Sequence, residues 1–162
     1  MTTNHPIKTV VDAMLEYQEK NNITQQCMTN AQYLYDFIIH NYPELNPKTK
    51  AVIAMSQEDD TITIVYGHMI VGCLENGRGF EASYEINSKP NVRYYDTIPQ
   101  LLKILPGFKM NKDQLGTFIN FTSISNRINN NKDVCVADMT FYNNQADYVE
   151  NIVKEKYGDL IK

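Results

Sequence analysis

The stretch from Lys50 to Leu74 does most to limit what this chain can fold into. Lys50-Ala51-Val52-Ile53-Ala54-Met55 and then Thr61 through Leu74 read as strands, the second long and rich in β-branched residues. Gln57-Glu58-Asp59-Asp60 between them predicts a turn. Asn76-Gly77 is a strong tight-turn signal, and Gly79 to Ile86 then reads as the returning strand. On either side the apolar period becomes helical. Pro6 suits a first helical turn, and Val10, Met14 and Tyr17 follow, flanked by Val11 and Leu15, in a helix predicted to run to Asn21 or Asn22. A second helix is predicted from Thr24 or Gln25, with Cys27, Ala31, Leu34 and Ile38 as its inward stripe and Pro43 and Pro47 ending it.

Beyond the strands, Thr97-Ile98-Pro99 opens a short helix through Leu105, ended by Pro106-Gly107. Asn111 caps a longer helix that is expected to turn Leu115, Phe118, Ile119 and Ile128 inward. Asn129-Asn130-Asn131 reads as polar loop and Val134-Cys135-Val136 as an extended segment. Asp138 caps a last helix carrying Ala146, Val149, Ile152, Val153 and Tyr157, with Gly158 as its C-cap. The expected fold class is α+β: a small antiparallel β-sheet, a meander of at least three strands, packed with helices. The 162 residues are expected to form one domain, with a catalytic core over 24–86 and a helical part over 97–162.

Apolar residues at 43% and charged residues at 21% fit an ordinary globular chain. The net charge of −4, with no basic stripe, gives electrostatic nucleic-acid binding no support. No apolar run approaches the ~20 residues that span a bilayer. The opening residues have neither a charged nor an apolar leader region, so no secretory signal is expected. Three widely spaced cysteines argue against a disulfide framework and for a reducing, cytoplasmic setting.

Chemistry centres on Cys27. A thiol at a helix start faces unpaired backbone N–H groups and the positive end of the helix dipole, a setting that favours thiolate, whereas burial opposes it. A cysteine nucleophile also needs a proton carrier and a group that orients the carrier. His68 is the histidine that falls within a strand; His5 lies in the N-terminal tail and His40 at a helix end. Side-chain alternation would put Ile62, Ile64, Tyr66, His68 and Ile70 on one face, and Gly67 admits a close approach beside His68. If Asn76-Gly77 is a two-residue turn, His68 lies opposite Glu85 and Gly72 opposite Glu81. That register favours Glu85 as the orienting acid, while a bulge or longer loop would bring Glu81 closer. Gln25, Gln26 and the backbone N–H of Cys27 are candidate oxyanion donors.

Read singly, these residues are unremarkable: a small core cysteine, a satisfied sheet histidine and a solvated hairpin edge. Cys27, His68, Cys73 and Cys135 are also metal-ligand types, but they lack CxxC or HxxxH spacing, so no metal is expected. No glycine-rich phosphate loop is present, and Ser83 lacks a nucleophile elbow, so serine hydrolysis is not supported; chemistry at a cysteine needs no cofactor, and none is expected.

The order Cys27, His68 and then an acid on the next strand resembles the transglutaminase-like branch of the papain-like cysteine enzymes. Phe80-Glu81-Ala82-Ser83-Tyr84 is similar to that family's apolar-Asp-Pro-Thr/Ser stretch, which singles out Glu81. The resemblance covers roughly residues 24–86. This chain departs from the pattern in having Glu for Asp, Ala82 for Pro, and no aromatic residue shortly after the histidine. The resemblance implies a papain-like core and a Cys27-His68-Glu81 triad. It further implies a thioester intermediate, with hydrolysis or acyl transfer on an amide or thioester carbonyl of a peptide or protein. An acyltransferase acting on a small amine shares the triad. The alternative is an inactive binding module on the same fold.

Overall fold

The computed structural model describes residues 4–73, 78–130 and 138–158. Helix α1 (Asn4–Lys20) buries Ile7, Val10, Val11 and Met14, which recur every three or four positions. Helix α2 (Cys27–Asn41) buries Ala31, Leu34 and Ile38, with half-buried Cys27 packed at the head of the same stripe. Asn22 and Gln25, both at positive φ, turn the chain between the two helices. A 3₁₀ turn over Pro43–Leu45 ends the helical hairpin.

Four strands follow in an antiparallel sheet: β1 (Pro47–Glu58), β2 (Thr61–Cys73), β3 (Arg78–Phe80) and β4 (Arg93–Tyr95), in the order β3-β2-β1-β4. The α+β class and the small antiparallel sheet are as expected, but three details differ. First, Cys73 pairs with Arg78 and Val71 with Phe80, so four residues rather than two separate the paired ends. The returning strand stops at Phe80. Residues 81–83 leave the ladder and Tyr84–Asn87 forms a short helix, α3. Phe80, Ala82, Ser83 and Ile86 are all buried, and period-two pairing cannot bury that set on one face. The expected pairing of His68 with Glu85, and of Gly72 with Glu81, therefore does not form. The Asn76-Gly77 turn, Leu74 and Val134-Cys135-Val136 lie outside the described residues.

Second, β2 is bulged. Val52 pairs with His68 and Ala54 with Val65, so Tyr66 and Gly67 together oppose Ile53. Gly67 sits at φ +62, and a Cβ there would come within 2.3 Å of Thr117 Cγ2. The bulge reverses the alternation. Ile64 lies opposite Met55 and His68 opposite Val52, three residues apart on β1, so Ile62 and Ile64 do not share the face of His68. Third, β4 was not anticipated. It sets Tyr94 opposite Ala54, on the same β1 face as Val52.

Helix α4 (Ile98–Ile104) starts at Thr97, whose hydroxyl accepts from the Gln100 backbone N–H. Helix α5 (Lys112–Asn129) starts with a reciprocal Asn111–Gln114 capping box. It lies across β1 and β2 and presents Phe118, Phe121, Ile124 and Ile128. Leu115 and Ile119 share another stripe and are exposed, contrary to expectation. Asn129 is helical rather than loop, because its amide exchanges two hydrogen bonds with the backbone of Thr49. Helix α6 (Met139–Tyr157) is capped by Asp138, which accepts from the Phe141 N–H, and ends at Gly158. Ala146, Val149 and Val153 enter the core, while Ile152 and Tyr157 are half-buried at its margin. Among the described residues, no helix is long and apolar enough to cross a membrane.

Candidate active site

Cys27 is the first residue of α2, and Gln26 before it makes no side-chain cap bond. The first-turn N–H groups of a helix have no intrahelical acceptor, so the sulfur stands beside open donors. Sγ also lies 3.7 Å from the Gly67 carbonyl oxygen. The bulge gives that carbonyl its place.

His68 is buried in β2, and its Nε2 lies 2.7 Å from Glu81 Oε1. Nδ1 is then the ring nitrogen left for Cys27. Burial opposes charge on the imidazole, but hydrogen bonds to Cys27 and Glu81 and the negative charge of both outweigh it. The His68 pKa is raised from its ordinary 6.5 to about 9. His68 is thus an imidazolium at neutral pH.

Glu81 is held from three sides. Oε1 accepts from His68 and from the Tyr94 hydroxyl at 2.6 Å, and Oε2 accepts from the Ser83 N–H at 3.0 Å. The Tyr94 ring stacks near the imidazole, with centroids 6.4 Å apart and planes at 18°. Burial and then the charge of Glu81 push the Tyr94 pKa up, so the phenol remains a donor.

A buried polar network fixes the segment that carries Glu81. Gln18 of α1 donates to the Ala82 carbonyl and to Gln145 Oε1, and it accepts from the Tyr84 N–H. Gln145 of α6 donates to Asn30 Oδ1, and Asn30 of α2 donates to Ser83 Oγ. All four side chains are buried, with at most 2% of their surface exposed, so the satisfied network is rigid.

Cys27, His68 and Glu81 therefore come together, and Glu85 does not join them. Its carboxylate accepts from the Gln25 N–H at 2.7 Å, tying down the loop before Cys27. Gln26 is also engaged: its Oε1 accepts from Thr29, and its Nε2 donates to Asp138. Sequence reasoning passed over Tyr94, Gln18, Asn30 and Gln145. The last three carried a signal, since each is a polar residue standing on an apolar helical stripe: Gln18 with Met14, Asn30 with Leu34, Gln145 with Val149.

Among the described residues, no cluster of three or more His, Cys, Asp or Glu side chains is arranged to hold a metal. A cleft of about 640 Å³, lined by residues including Ile62, Ile64, Leu105 and Phe108, includes none of Cys27, His68 and Glu81. No protein-family model, curated protein or solved structure matches the chain.

Proposed function

We propose that this protein is a cysteine-dependent hydrolase or acyl transferase on a papain-like, transglutaminase-like core, acting on an amide or thioester carbonyl of a peptide or protein. One observation carries the reading: the 2.7 Å contact of His68 Nε2 with Glu81, which leaves the other ring nitrogen to a thiol at a helix start. In the first half-reaction the Cys27 thiolate bonds to the carbonyl carbon. The oxyanion forms against first-turn N–H groups of α2. His68 then gives its proton to the leaving nitrogen, the C–N bond breaks, and a thioester remains on Cys27. In the second, water or an amine attacks the thioester while His68 takes its proton. The C–S bond breaks and the thiolate–imidazolium pair is restored. Glu81 orients the ring in both.

The test is iodoacetamide labelling near pH 7, followed by peptide mapping, alongside assay against peptide amides and thioesters. Cys27 is expected to label well before Cys73 and Cys135. Cys27→Ala is expected to stay folded while losing that label and all turnover. Equal rates at the three cysteines would sink the reading and leave a binding module on the same fold.

A further inference from the structure

Glu81 Oε1 accepts two hydrogen bonds, from His68 and from Tyr94, while Oε2 accepts a third from Ser83. Three donors therefore share one negative charge. This matters because His68 has opposite tasks in the two half-reactions: it must first give up a proton and then take one from water. Once the sulfur is acylated its charge is gone, and among the described residues Glu81 is the anion left against the ring. A carboxylate bonded to His68 alone would hold the imidazolium tightly and keep it from serving as a base. We propose that Tyr94 is a positioning residue that acts on His68 through Glu81: its hydroxyl draws charge from the shared oxygen and loosens the carboxylate's hold on the ring proton.

The placement is built into the sheet. Strand β4 is three residues long and sets Tyr94 opposite Ala54, two positions along β1 from the partner of His68. Parallel stacking with the imidazole keeps the phenol on the acid. Among the described residues, the titratable groups facing His68 are Cys27 from α2, Glu81 from beyond β3 and Tyr94 from β4. Its β1 partner is Val52, and the α5 side chains nearest a Cβ at neighbouring Gly67 are Thr117 and Phe121. The role in turnover rests on the enzymatic reading above, but the effect of the hydroxyl on the ring does not.

The experiment is an NMR pH titration of the His68 ring in Cys27→Ala protein, where sulfur carries no charge. Adding Tyr94→Phe is expected to move the His68 pKa up by about half a unit to one unit, since a lost donor leaves the carboxylate more basic. Replacing Tyr94 with difluorotyrosine, a stronger donor of similar size, is expected to move it down, and this keeps the test decisive if Tyr94→Phe folds poorly. Both shifts should vanish when Glu81→Gln is added. Shifts of the wrong sign, no shift in either variant, or shifts that survive Glu81→Gln would overturn the proposal. Because no substrate is used, this result and the Cys27 labelling result can fail separately.

Discussion

Asn30 donates to the Ser83 hydroxyl across 3.0 Å, so the helix that starts at Cys27 grips the segment that carries Glu81. The bond lies one turn from Cys27 and two residues from Glu81. Relative placement of the two groups is thus set by buried contacts rather than by the surface, which is how a site gains reach and angle before any substrate arrives.

Gln145 supports that contact from α6 without touching the triad. Gln145→Leu would leave Asn30 Oδ1 without its donor and deprive Gln18 of one acceptor. Denaturant unfolding should show a loss of about 2–3 kcal/mol. Cys27 alkylation at pH 7 should slow as well. A stable variant with unchanged alkylation would mean that the network does not set the site.

The charge on His68 links stability to pH. Its folded pKa, about 9, lies above the ordinary 6.5. The stabilisation is therefore complete below pH 6.5 and is lost as pH rises through 9. It amounts to on the order of 3 kcal/mol. Urea midpoints should fall between pH 6.5 and 9.5 in the native protein and fall less in Glu81→Gln. A midpoint that rises over this window would contradict the assignment.

The two glutamates should separate cleanly. Glu81→Gln removes the charge that orients and ionises His68, so Cys27 alkylation at pH 7 should drop at least about tenfold. Glu85→Ala removes only the acceptor of the Gln25 N–H. It should cost about 1 kcal/mol of stability and change alkylation little. Equal kinetic losses would return Glu85 to the site.

Gly67 should tolerate no side chain. Gly67→Ala combines positive φ with a Cβ 2.3 Å from Thr117 Cγ2. Thermal or urea unfolding should register a loss of about 2–4 kcal/mol. Adding Thr117→Ser should recover the steric part and leave the backbone part. Full stability in Gly67→Ala would show that the bulge relaxes freely.

Helical stripes were the most legible part of the fold. Val10 and Met14, and Ala31 to Ile38, repeat often enough for the 3.6 period to be seen and bury as read, while Tyr17 of the first stripe is half-buried. The same reading failed for Leu115 and Ile119, because α5 has apolar residues on more than one stripe and only contact with β1 and β2 selects among them. Strand existence was legible but strand register was not. The hairpin register depended on a turn length that the sequence does not state, and it pointed to Glu85. The family resemblance pointed to Glu81, the residue that meets His68. Tyr94 left no trace in the pattern, since the three residues of β4 are too few to show alternation.

The bulge in β2 gives one strand two allegiances. Upstream of it Ile64 joins the small cluster with Ile53 and Met55, and downstream His68 meets the acid and the thiol. Excising Gly67 would restore strict alternation, and either end of the strand would then have to turn over. A one-codon deletion could thus keep the sheet and still part the imidazole from its partners, which no single side-chain replacement on that strand would do by geometry alone.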